Sequence, residues 1–135
     1  VSTSYKLGDT VITGIAPGTG ASSVLANISA GSGTVKVLKA DGTENTGAVG
    51  TGNKIAVYAN GTLVKQYDVV IYGDINGDGK ISVVDLVMMQ KQILGTSQLS
   101  VAYAAAADIS RDGKVSVKDL VLLQKHIINA AQIEQ

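Results

Sequence analysis

Two twelve-residue stretches constrain this chain more than any other feature. DINGDGKISVVD fills Asp74–Asp85 and DISRDGKVSVKD fills Asp108–Asp119. The second begins 34 residues after the first, and the likeness runs on into LVMMQKQILG and LVLLQKHIIN. Each stretch sets oxygen-bearing side chains at its positions 1, 3, 5, 9 and 12, with glycine at position 6. A period of this length marks one supersecondary unit used twice. The spacing within each copy suits a short loop wrapped around a hard cation.

Calcium takes about six to eight oxygens in flexible geometry, and a loop of this length offers them from positions 1, 3, 5, 7, 9 and 12. In the first loop the expected ligands are Asp74, Asn76, Asp78, the Lys80 carbonyl, Ser82 through water, and Asp85. In the second they are Asp108, Ser110, Asp112, the Lys114 carbonyl, Ser116 and Asp119. A lysine at position 7 is harmless because only its carbonyl is used. Gly79 and Gly113 permit the positive φ of the mid-loop turn. Ile81 and Val115, at position 8, are expected to pair the loops through a short β-like contact. Each loop gathers three carboxylates that repel one another without a cation, so two calcium ions are expected to hold the fold. Magnesium suits the set less, because it demands strict octahedral geometry. The second loop is expected to be the weaker site: Ser110 stands where the first has Asn76, and Arg111 adds a positive charge.

Composition narrows the class. A chain of 135 residues holds one ordinary domain or two small ones, and small halves need a staple. With no cysteine the staple is not a disulfide, which again points to metal. Net charge is zero and no basic run exists, so nucleic acid and anionic membrane are poor partners. Six of the 11 acidic residues lie inside the two loops. No apolar run is long enough to span a bilayer. The start, VSTSYKLGD, is not a signal peptide, and the missing start methionine predicts a fragment of a longer protein, with any export signal expected upstream.

Residues 1–72 read as a small β-rich module of about four strands and one short helix. Thr10–Ile15 is β-branched and apolar, and Pro17-Gly18 breaks it. Ala21–Ser29 carries Ala21, Val24, Leu25 and Ile28 on one helical face, with Thr19 or Ser22 as cap and Gly31 as stop. Val35–Lys39 alternates as a strand. Ile55–Ala59 and Thr62–Ile71 flank Asn60-Gly61, a strong hairpin signal. If Ala21–Ser29 were a loop, the alternative is an all-β, immunoglobulin-like sandwich. Asn45–Asn53 (NTGAVGTGN) is too rich in glycine to assign.

No linker follows: strand-like text runs through Val69-Val70-Ile71-Tyr72 and reaches Asp74 after one glycine, so the halves are expected to abut rigidly. Residues 73–135 read as helical. Leu86, Met89 and Ile93 share one helix face, with Val83, Val87 and Leu94 beside it. Leu120, Leu123 and Ile127 repeat that face, and Val117, Val121 and Ile128 the second one. Gln98–Ala107 is expected as an alanine-rich helix between them, and the tail AAQIEQ as frayed.

These features resemble a known family. An ordinary EF-hand has a helix before each loop and glutamate at position 12; here a strand-like segment precedes the first loop and both position-12 residues are aspartate. GDINGDGKISVVDL, its second copy ADISRDGKVSVKDL, and the helices QKQILG and QKHIIN are similar to dockerin modules, over roughly Gly73–Asn129. The resemblance implies an α+β chain whose second part is an all-α fold of two EF-hand-like loop–helix motifs. It implies a non-catalytic, secreted or cell-surface module of type I-like character. Such a module binds a cohesin on a scaffolding or cell-surface protein, assembling a cellulosome or anchoring an exported protein, and is monomeric when free. Partner contacts carried over from the family fall on Val83, Val84, Gln90, Lys91 and Gly95, and on Val117, Lys118, Gln124, Lys125 and Asn129. Val87 joins them, because with Val83 and Val84 it would form an apolar strip rimmed by Gln90 and Lys91. Many dockerins carry Ser-Thr where this chain has Val83-Val84 and Val117-Lys118. Val84 against Lys118 is expected to give one preferred binding orientation. The first half is placed by analogy as an X-like supporting module.

Competing functions have less behind them. The single histidine, His126, sits on a helix without a catalytic partner, and no nucleophile or phosphate-loop motif occurs, so no enzyme activity is expected. A carbohydrate-binding or surface-adhesion fragment stabilised by calcium is the alternative. It would rest on Tyr5, Tyr58, Tyr67 and Tyr72, in a chain with no Trp or Phe.

Overall fold

A computed structural model describes residues 2–29, 31, 33–95, 101–128, 133 and 135. It is α+β, with a sheet in the first half and helices in the second. The described strands are β1 (Ser2–Thr3), β2 (Lys6–Leu7), β3 (Val11–Thr13), β4 (Ile28–Ser29), β5 (Thr34–Leu38), β6 (Lys54–Ala59) and β7 (Thr62–Val69). Helix α1 (Ala21–Ala26) lies between β3 and β4.

The hairpin forms where the Asn-Gly pair predicts it. Asn60 and Gly61 both have positive φ (53° and 77°), as a tight turn matching strand twist requires. That turn pairs β6 with β7 antiparallel, Ala59 opposite Thr62. Strand β5 adds beside β6, and β3 adds beside β7 in parallel, giving the order β2-β3-β7-β6-β5. β1 and β4 make a separate two-stranded ribbon. Alternation along the strands sends Val37, Ile55, Val57, Tyr67 and Val69 into one core with Ile12, Ile15, Ala21, Val24, Val49 and Ile71. Burying each Val or Ile stabilises the fold by about 1.5–3 kcal/mol.

The structure corrects several expectations. Among the described residues seven strands form where about four are expected; β1, β2 and β4 are two residues each, too short to leave a period in the sequence. Helix α1 is capped by Gly20, not Thr19 or Ser22, while the Thr19 hydroxyl donates to the Ala16 carbonyl (2.7 Å). It ends at Ala26, before Gly31, where Asn27 Oδ1 accepts the Ser4 N–H (3.1 Å) and ties the ribbon to the helix. With that helix present the all-β sandwich does not form. Strand β7 stops at Val69, because the Thr51 side chain takes over both polar backbone groups of Ile71: Oγ1 accepts its N–H (3.0 Å) and donates to its carbonyl (3.2 Å).

The second half contains α2 (Val83–Ile93), α3 (Val101–Ala107) and α4 (Val117–Ile127). Met89 and Leu123, one from each repeat, meet at 0% exposure with Ile75, Ala107 and Ile109, and Leu86, Ile93, Leu120 and Ile127 pack around them. The expected β-like contact between Ile81 and Val115 is absent among the described residues; both side chains instead join this core. The expected helical residues 98–100, like Asn129, lie outside the described residues. The tail is tied down rather than frayed at its two described positions. The Ile133 N–H donates to His126 Nδ1 (3.1 Å), and the Gln135 amide exchanges two bonds with the Tyr72 backbone (2.6 and 2.8 Å). Among the described residues no helix is long and apolar enough to cross a membrane.

Candidate metal centre

The structure brings the six loop aspartates together in two threes. One oxygen from each of Asp74, Asp78 and Asp85 lies within 4.8 Å of the others, and the same holds for Asp108, Asp112 and Asp119. Backbone N–H groups organise both sets alike. Asp74 Oδ2 accepts from Gly79 (3.0 Å), as Asp108 Oδ2 does from Gly113 (2.8 Å). Asp78 Oδ1 accepts from Lys80 (2.9 Å), as Asp112 Oδ1 does from Lys114 (3.0 Å). The mid-loop turn has φ of 82° at Gly79 and 88° at Gly113.

The last aspartate of each loop also starts a helix. Ser82 caps α2 and Ser116 caps α4. Asp85 Oδ2 accepts the Ser82 N–H (2.8 Å) and Asp119 Oδ2 the Ser116 N–H (2.9 Å), the carboxylate half of a capping box. Their other oxygens reach back into the loop: Asp85 Oδ1 to the N–H groups of Ile75 and Asn76, Asp119 Oδ1 to that of Ser110. Loop closure and helix start therefore depend on the same side chain.

Surroundings separate the loops. Asp74 and Asp85 have 0% exposure, and Gly79 is buried, because the first loop is pressed against residues 48–52. Thr51 N–H donates to Asp74 Oδ2 (2.9 Å), and Gly18 N–H to the Gly79 carbonyl (2.7 Å). A Cβ on Gly77 would stand 2.5 Å from the Thr51 carbonyl oxygen and 3.0 Å from the Tyr103 ring. Burial pushes the Asp74 carboxyl up to about 7, with the charges of Asp85 and Asp78 adding to it against the N–H groups of Thr51 and Gly79. Burial also raises Asp85. In the second loop residues 111–114 are exposed and Asp108 is half-buried, although Asp119 is at 0%. There the Lys114 N–H lowers Asp112. The Arg111 guanidinium lies over the Tyr72 ring, 4.1 Å from the centroid.

The donors fit a hard cation. They are oxygens alone, and Asp74 Oδ1 is buried with no hydrogen-bond partner among the described residues. A buried carboxylate oxygen left so is costly unless a cation takes it. Of the remaining predicted ligands, Asn76, Ser82, Ser110 and Ser116 are half-buried beside these aspartates, and Lys80 and Lys114 are exposed.

The predicted partner residues are all at the surface where described. Val83 (58%), Val84 (54%), Val87 (42%) and Val117 (61%) are exposed, as are Gln90, Lys91, Lys118, Gln124 and Lys125. Two apolar grooves lie between α2 and α4, related by the repeat. Val83, Leu86, Gln124, Ile127 and Ile128 line one of 370 Å³; Val117, Leu120, Gln90, Ile93 and Leu94 line the other, of 430 Å³. Sequence reasoning missed Gly18, Gly50, Thr51 and Tyr103, which cover the first loop. The signal that could have found them is Asn45 and Asn53, one at each end of the glycine-rich stretch, whose side chains bond to each other.

No curated protein matches the chain. Residues 72–128 match the family model of the dockerin type I domain. Similar solved structures include two of the third cohesin ScaC in complex with the ScaB dockerin from Acetivibrio cellulolyticus, with mutations in the N-terminal and the C-terminal helix, respectively. The first is 25% identical, over 48% of this chain and 92% of the other, with a TM-score of 0.45. The second is 26% identical, over 48% and 96%, with a TM-score of 0.44. With its paired aspartate-closed loop–helix repeats and this family match, the segment from residue 72 to residue 128 is similar to a dockerin type I domain.

Proposed function

We propose that residues 73–135 form a non-catalytic module that folds around two calcium ions and binds a cohesin on a scaffolding or cell-surface protein, outside the cell. Residues 1–72 form an X-like module that supports it. The observation that carries this reading is that each carboxylate cluster contains the aspartate that starts a helix, and each such helix carries exposed valines. Occupancy of a loop thus sets the helix that presents the partner surface. Asp74, Asn76, Asp78, the Lys80 carbonyl, Ser82 and Asp85 would hold one ion. Asp108, Ser110, Asp112, the Lys114 carbonyl, Ser116 and Asp119 would hold the other. When bound, calcium supplies positive charge that relieves carboxylate repulsion, and no covalent chemistry.

Val83, Val84, Val87 and Val117 would meet the cohesin, with Gln90, Lys91, Lys118, Gln124 and Lys125 as a polar rim. The two repeat-related grooves offer the partner two similar seats, and Val84 against Lys118 makes them unequal. The sugar-binding alternative has less support, because Lys36, Lys65 and Arg111 lie over the rings of Tyr58, Tyr67 and Tyr72. His126, its Nδ1 engaged by the Ile133 N–H, has a structural role. Titration of the full chain with a panel of cohesin modules, with calcium and with chelator, tests the proposal. Saturable binding that chelator abolishes is expected; binding indifferent to chelator, or to no cohesin of the panel, would sink it.

A further inference from the structure

Residues 45–53 fold into a rigid tongue that the function above does not use. Asn53 Oδ1 accepts the Gly50 N–H (3.1 Å) and Asn45 Nδ2 (2.7 Å), and Asn45 Nδ2 also reaches the Ala48 carbonyl (2.9 Å). The Thr51 hydroxyl is clamped to both backbone groups of Ile71. Buried side-chain amides satisfied in this way hold a backbone in one shape. The tongue lies directly on the first loop. A Cβ on Gly50 would collide with the Gly77 carbonyl and stand 2.7 Å from the Gly79 nitrogen, and the Tyr103 ring fills the gap between Gly52 and Gly77. From this position the Thr51 N–H orients Asp74, whose other oxygen is buried without a partner among the described residues.

We infer that the tongue is a lid and positioning element of the first calcium site, so that this ion leaves slowly while the ion of the open second loop exchanges fast. The inference rests on the calcium reading above and adds to it an inequality of the two sites that comes from residues outside both loops. The Thr51 N–H fixes the orientation of Asp74 as outer-shell donors do for metal ligands. The glycines let the tongue backbone lie close enough to exclude water. The second loop, exposed at residues 111–114, has no such cover among the described residues.

Calcium release from the full chain tests this, by rapid mixing of the loaded protein with excess fluorescent chelator. Two phases are expected, and Asp108→Asn should remove the fast one and leave the slow one. Gly50→Leu should speed the slow phase by about 10- to 100-fold, the usual cost of disturbing an outer-shell partner, without moving the fast phase. Asn53→Ala, which adds no bulk, should speed it by a smaller factor, and Thr51→Ser, which keeps both N–H and hydroxyl, should leave it unchanged. A loss of fold would instead move both phases, so the selective change is the mark of positioning. Two bound ions released at a single rate, or a slow phase indifferent to both Gly50→Leu and Asn53→Ala, would overturn the lid alone. Failure of the chain to bind calcium at equilibrium would overturn the proposed function with it.

Discussion

At position 1 of the first loop, Asp74 has no exposed surface and takes a hydrogen bond from Thr51, 23 residues away. At position 1 of the second, Asp108 is half-buried and takes the N–H groups of its own loop, Asp112 and Gly113. Position 4 repeats the contrast. Gly77 (φ 79°) lies under the Thr51 carbonyl, where a side chain has no room. Arg111 (φ 60°) takes the same left-handed turn in the open and lays its side chain on Tyr72. One ligand pattern thus serves in two settings, one walled by the sheet half and one facing water. The pattern decides that a cation can be held, and the wall decides how tightly the loop is closed around it.

The largest effect expected is that of calcium itself. Free calcium a thousandfold above the dissociation constant stabilises by about 4 kcal/mol per site. Chelator should therefore lower the helical circular dichroism and abolish cohesin binding, while signals from the sheet persist longer. Loss of sheet and helix in one step would erase the contrast between the two halves. Next in size, Asp74→Ala leaves the buried N–H groups of Thr51 and Gly79 unsatisfied and should cost about 2–4 kcal/mol in calcium; Asp108→Ala should cost roughly half that. Equal losses in urea unfolding would show that the wall contributes nothing.

A swap at position 4 sharpens the comparison further. Gly77→Arg should destabilise by about 2–3 kcal/mol through overpacking against the Thr51 carbonyl. Arg111→Gly should stay within about 1 kcal/mol, because relief at the positive φ offsets the lost ring contact. Thermal unfolding of the pair would decide it. A further test is in pH. The Asp74 carboxyl is raised from 3.8 to about 7, so in chelator its contribution is fully present below about pH 4 and is lost as pH rises to about 7. Asp112 is lowered, so its contribution has the opposite sign, present above 3.8 and lost as pH falls further. Unfolding midpoints in chelator that rise steadily from pH 4 to 7 would contradict the burial of the first loop.

Much of the fold is legible where the signal is local. Met89 and Leu123 fall in the core because 3.6-residue periodicity places them there, and Asn60-Gly61 turns because few other pairs accept two positive φ values. The three two-residue strands leave no period to read. The parallel pairing of β3 with β7 depends on where a distant strand lies. Asn45–Asn53 resists assignment because glycine carries no side chain to reveal a contact, yet at Gly50 the missing side chain is what lets the tongue approach. The contact of the Arg111 guanidinium with the Tyr72 ring likewise depends on a neighbour brought close by the fold.

The sequence by itself determined the two oxygen-rich loops, their 34-residue register, the helices they start and the apolar faces those helices carry. Spacing alone settles these, since ligand geometry and helix periodicity act over a dozen residues. Only the tertiary structure decided that the first loop is buried and the second open. That difference arises from Gly18, Gly50, Thr51 and Tyr103, each tens of residues or a whole element away from the groups it covers, and backbone contacts of that range leave no mark in the local pattern.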